Sequence, residues 1–230
     1  MKILLSTAFF MLLNLVVQAQ FFVQKLPQNQ ILQNEKAYVV TNSGDTIHGI
    51  ISATTIDSER LKAFTIKNEM GKTKLKTLQI KALAVIPSVT ARFEDMPLLT
   101  TLKRASDESF LKIVVTDWVI FERVQLTTKK EKYELMQLVN PGFDSRIKVY
   151  AYRHTGETIS MSVDDMKLSG GDDDSHYVSV ENARPILLRK GKYKKQALGL
   201  LYNNCTSLSQ EELKWKEFAS HIYTYNQACK

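Results

Sequence analysis

The sequence predicts an α+β protein: a mainly antiparallel β body, barrel- or sandwich-like, with a C-terminal helical hairpin packed against it. Three observations predict it. Between residues 37 and 190, short β-branched and aromatic runs alternate with Gly, Asn, Asp and Ser clusters. The connections are too short for helical crossovers, so neighbouring strands should run antiparallel. From residue 191 onward the apolar residues recur every three or four positions, the period of a helix.

The first element is an address. Residues 1–19 read as a signal peptide: Lys2 is the positive end, Ile3 to Val17 an apolar run, and Val17-Gln18-Ala19 a small-residue cleavage site. The run is too short for a spanning helix, and no Cys stands at the cut to take a lipid. The mature chain is expected to begin at Gln20, to lack a transmembrane helix, and to reside in the periplasm, at the outer-membrane periphery or outside the cell. Residues 20–36, rich in Gln with Pro27 and Asn29, read as a mobile leader.

The body, residues 37–190, opens with a hairpin. Tyr38 to Thr41 and Thr46 to Ile51 flank Asn42-Ser43-Gly44-Asp45, residues that tolerate positive φ in a tight turn. Strands are expected at Leu61 to Lys67 and Thr73 to Ile80 around a turn at Glu69 to Lys72. Ala82 to Ile86 is apolar, with no role assigned. Phe110 to Leu126 reads as buried strand, split at Thr116-Asp117. Tyr133 to Val139 leads into Asn140-Pro141-Gly142-Phe143, whose Pro and Gly suit a type II turn, and Ile147 to Tyr152 returns as a strand. Tyr38 to Ile47 is echoed by Tyr150 to Ile159; a recurrent Ser/Thr-Gly-acid-Thr turn accounts for that more plainly than duplication. After a Gly/Asp loop at 170–175, Tyr177 to Val180 and Pro185 to Leu188 add the last strands.

The tail, residues 191–230, reads as two helices. Lys192 to Asn203 places Tyr193, Ala197, Leu200 and Leu201 on its apolar side. A second helix should start at Ser209, which forms a capping box with Glu212, and carry Trp215, Phe218, Ile222, Tyr225 and Cys229 as a docking stripe. By count, Cys205 and Cys229 suggest one disulfide in an exported chain. A continuous helix of about twenty residues would hold them about 30 Å apart, so the bridge requires that helix to break.

The chain carries +7, one less without Lys2, which favours anionic partners. Outside the cytoplasm these would be lipid headgroups, acidic glycans or proteins; nucleic acid is not expected. Arg184 and the run Arg189, Lys190, Lys192, Lys194 and Lys195 form an anion-binding candidate, against the plainer account of a solvated face. Asp172, Asp173 and Asp174, with His176, are the one concentration of metal-type ligands, but consecutive acids lack the alternate spacing of a calcium loop. No zinc spacing, nucleophile elbow, phosphate-cradling loop or dinucleotide fingerprint is present. No catalytic residue and no cofactor is assigned.

Four segments carry a resemblance: Gln18-Ala19-Gln20; Tyr38 to Ile51 around Ser43-Gly44-Asp45-Thr46-Ile47; Leu135 to Tyr150 with Asn140-Pro141-Gly142-Phe143; and Tyr202 to Cys229 with Cys205, Tyr225-Asn226 and Cys229. In them the chain resembles a family of secreted, uncharacterised Bacteroidota envelope proteins. The resemblance implies a cell-envelope setting and supplies no functional residues. The leading expectation is a non-enzymatic binding module for an envelope protein or surface polymer. The alternatives are a hydrolase or metal-dependent enzyme built on the acidic loop, and a peripheral membrane-binding module using the basic run.

Overall fold

The computed structural model of the chain describes residues 22–23, 25–26, 28–31, 35–88, 118–127, 132–151, 161–163, 166–169, 175–203, 205–209 and 213–229. The predicted signal segment, Asp172 to Asp174, the Thr116-Asp117 split and most of the repeated hairpin therefore lie outside the described residues.

The body begins with β1 (Lys36–Thr41), β2 (Thr46–Asp57), β3 (Arg60–Asn68), β4 (Gly71–Lys76) and β5 (Ile80–Ile86). It continues through β6 (Val119–Thr127), β7 (Lys132–Leu138) and β8 (Ile147–Ala151). β9 (Met161–Val163) pairs with β10 (Met166–Ser169) as a small separate hairpin, and β11 (His176–Val180) with β12 (Ile186–Leu188) finishes the body. Ten strands form one sheet in the order β12-β11-β8-β7-β6-β5-β1-β2-β3-β4, and each described pairing is antiparallel. The predicted α+β class holds. The sheet stays open, with β4 and β12 at its edges.

Turn chemistry explains the first hairpins. Gly44 takes φ +100° and Gly71 +124°, conformations costly for residues bearing a Cβ. Two expectations are corrected here. The predicted strand Thr73 to Ile80 breaks at Thr77–Gln79, a 3-10 turn that swings the chain from β4 to β5. Phe143 N donates to Asn140 O at 3.0 Å, closing the expected turn, but Gly142 lacks the positive φ of type II.

The sheet curls. β3 and β7 stand five strand spacings apart in the order, about 24 Å if flat. Yet Arg60 at the start of β3 reaches Glu134 of β7, Nη1 to Oε1 at 2.9 Å. The described residues of the leader pack in the seam between them. Leu26 and Ile31 are buried, Val23 N donates to Val139 O at 2.7 Å, and Leu26 N donates to Gln137 Oε1 at 2.7 Å. The Gln28 carboxamide donates to Leu135 O on β7 and accepts from Leu61 N on β3 at 2.9 Å. Gln composition alone suggested a solvated segment; the apolar residues between the glutamines give it a core-facing side.

Two main clusters form the interior. One unites the leader with the inward side of β1–β7, including Val39, Ile51, Phe64, Leu83 and Phe121. The other packs β8, β11 and β12 against the tail through Val149, Val178, Leu188, Tyr193 and Ile222. The tail is helical but shorter-stepped than predicted: a 3-10 turn (Lys190–Lys192), α1 (Tyr193–Gln196), a π turn (Ala197–Leu201), α2 (Thr206–Ser209), a 3-10 turn (Trp215–Glu217) and α3 (Phe218–Ala228). Leu200, expected on the apolar side, is exposed. The single helix expected from Ser209 is broken. Lys214 is extended (φ −105°, ψ 138°), which lets Leu213 and Trp215 both reach the core before α3 begins. Cys205 and Cys229 consequently meet in a disulfide with Cα atoms 5.0 Å apart. Among the described residues no helix is long and apolar enough to cross a membrane.

Candidate functional site

Strand alternation divides β1 and β2 into two faces. Ala37, Val39 and Ile51 point into the core, which turns Lys36, Tyr38, His48 and Ile50 outward. The register then aligns them: Tyr38 stands opposite His48, Lys36 opposite Ile50, Ile50 opposite Lys67 on β3, and Lys67 opposite Lys72 on β4. Trp118 closes one side, its ring edge-on to Tyr38 with centroids 5.0 Å apart, while His48 lies 5.8 Å away on the other. An aromatic strip and a row of lysines thus run side by side across the strands.

Beside the strip lies an open groove of about 800 Å³ between β2 and the β3–β4 turn, with a mostly apolar lining. Ile50 and Met70 are exposed there, Met70 almost fully at 93%. Gly49 lets β2 sit close: a Cβ on it would lie 2.5 Å from Lys67 O. Asn68 fixes the rim, donating from Nδ2 to His48 O at 3.2 Å and accepting at Oδ1 from Met70 N at 3.0 Å. This surface offers stacking area, aliphatic contact and cations, the makings of a binding face.

No protein-family model, curated protein or solved structure matches the chain.

The described residues among those singled out by sequence lie elsewhere. His176 is buried, its ring 5.4 Å from Phe22, 5.9 Å from Trp215 and 5.6 Å from Phe218, so its surroundings are aromatic. Among the described residues no three His, Cys, Asp or Glu side chains group to hold a metal ion. Arg184, Arg189, Lys190, Lys192, Lys194 and Lys195 are all exposed, along the approach to β12, the following turn and α1. Cys205 and Cys229 are joined and carry no free thiol.

Two polar clusters, the first half-buried and the second buried, escaped the sequence reading. On the outer side of the body, Glu122 accepts from Lys148 Nζ at 2.8 and 3.0 Å and from the Tyr150 hydroxyl at 2.7 Å. Burial, then the neighbouring Glu122 charge, lifts the Tyr150 phenol far above its ordinary range. Under the tail, the Tyr193 hydroxyl lies 2.6 Å from His221 Nδ1 and 3.1 Å from the Tyr202 hydroxyl. Burial, followed by Tyr193, raises the Tyr202 phenol well above its usual value. All three side chains lie within the tail core, so the chain of hydrogen bonds is a packing device.

The outward strip had a sequence signal. Once Ala37, Val39 and Ile51 are assigned inward, Tyr38, His48 and Ile50 must face out, and apolar or aromatic residues on an outer face call for a partner.

Proposed function

We propose that the protein is an exported, non-catalytic binding module of the cell envelope, which holds an envelope protein or surface polymer against the outer face of β1–β3. One observation carries this: the Trp118, Tyr38 and His48 rings pack in a row beside an open groove in which Ile50 and Met70 are exposed, on paired strands. The signal-like residues 1–19, the disulfide and the resemblance to secreted Bacteroidota envelope proteins support the compartment.

The test is retention of an envelope component on the immobilised mature protein, compared with Ile50→Asp and Trp118→Ala. Both variants should keep the wild-type circular dichroism and melting curve and lose retention. Equal retention by folded variants would reject this face. A peripheral membrane role is favoured by a different observation, the exposure of all six cations from Arg184 to Lys195. It requires salt-sensitive binding to anionic vesicles that disappears in the fourfold Lys190, Lys192, Lys194 and Lys195→Gln variant.

A further inference from the structure

The lysine row beside the groove is more than a solvated surface. Lys67 and Lys72 are register partners on one face, and Lys74 follows on the same face of β4 opposite Thr65. Lys36 stands in the same row beyond Ile50. Like charges directly opposite on a sheet destabilise it. Among the described residues, none of these four lysines makes an ion pair or a side-chain hydrogen bond. Glu69, at the end of the groove, lies beyond ion-pair distance of them. Edge strands carry lysine to block unwanted pairing, which accounts for Lys72 and Lys74 on β4. It does not account for Lys36 and Lys67, on strands paired along both sides.

We infer that this face binds an acidic polysaccharide laid across the strands, its acid groups on Lys36, Lys67, Lys72 and Lys74 and its sugar faces against Tyr38 and Trp118. The inference rests on the binding-module reading of the same face and names its ligand. Charge complementarity selects a polyanion, and the half-buried rings suit the apolar faces of sugars. A bilayer is a plane and does not enter a groove. An acidic peptide adding to the sheet would reach only the edge strand β4, because the main-chain groups of β1 and β3 are already paired. A flexible chain crossing the face meets all four cations and the rings together.

The experiment is a binding titration of the mature protein with polygalacturonate at low and moderate salt, with dextran as the neutral polymer and a single-stranded oligonucleotide and anionic vesicles as other polyanions. Polygalacturonate should bind with affinity that falls as salt rises, and dextran should not bind. The triple Lys36, Lys67 and Lys72→Gln variant should lose at least about tenfold in affinity and much of the salt dependence. Trp118→Ala should weaken polygalacturonate several-fold at unchanged charge. The inference is overturned by absent binding, by an unaffected triple variant, by indifference to Trp118→Ala, or by tighter binding of oligonucleotide or vesicles. Envelope retention that needs Ile50 and Trp118 but survives the triple lysine change would remove the acidic ligand and leave the binding module standing.

Discussion

Asn140 shows how much a single side chain organises. Fully buried, it donates to Phe143 O and Ile147 O and accepts from Val149 N, each at 2.8 Å, so one carboxamide ties the turn after β7 to the beginning of β8. Asn226 does the same from the tail, accepting at Oδ1 from Arg146 N at 2.7 Å and Ile147 N at 3.0 Å. Tyr150 and Tyr202 give the residue scale its pH signature. Both phenols are raised from an ordinary value of 10.0, chiefly by burial. Above that value the unfolded chain releases these protons while the native chain keeps them. Their contribution is therefore complete below about pH 10 and is lost as pH climbs toward the folded values. Urea titrations at about pH 9 and about pH 11 should show lower stability at the higher value. Tyr150→Phe should shrink the difference; an unchanged difference would mean that this phenol is not held neutral by the fold.

At the scale of elements, the tail depends on its break. Extended Lys214 turns what would be one rod into two arms, and the disulfide fastens their ends. Arg146 reinforces the closure, stacking 4.6 Å over the Tyr225 ring and donating to Cys229 O and to Glu181 Oε1. With the cysteines 24 positions apart in sequence, the bond should contribute about 3 kcal/mol. Replacing both with Ala should lower the unfolding free energy by about that amount in denaturant titration, and the unreduced, unfolded wild type should titrate no free thiol. Two free thiols would refute the pairing. The hairpins were legible because Gly44 and Gly71 mark turns by local chemistry, and the stripe Phe218, Ile222, Tyr225 was legible because burial follows its period. The break was not. Ser209 and Glu212 form a sound local start signal, but the depth at which Leu213 and Trp215 meet the body is a tertiary demand. The binding face was half legible: Tyr38, His48 and Ile50 lie in strands predicted from sequence, whereas the alignment of Lys36, Lys67 and Lys72 exists only once four strands are in register.

For the whole molecule, the decisive fact is an open sheet closed by something other than a strand. Gln28 joins Leu61 to Leu135 across the seam, and Arg60 meets Glu134 beside it. Gln28→Ala should remove two hydrogen bonds and leave main-chain groups of both strands without that partner, costing about 2 to 4 kcal/mol. Hydrogen exchange should quicken at Leu61 while Val39 and Leu83, far inside the same sheet, stay protected. Uniform exchange at all three would show that the seam is not a separate unit.

The leader's docking also sets a timetable. Leu26 finds its acceptor on Gln137, 111 residues farther along the chain, so a segment made before β7 waits for β7 to find its place. Until β7 arrives, Leu26 and Ile31 remain without the surface they bury in the finished fold. Closure of so long a loop slows folding and leaves adhesive apolar residues exposed in the interval.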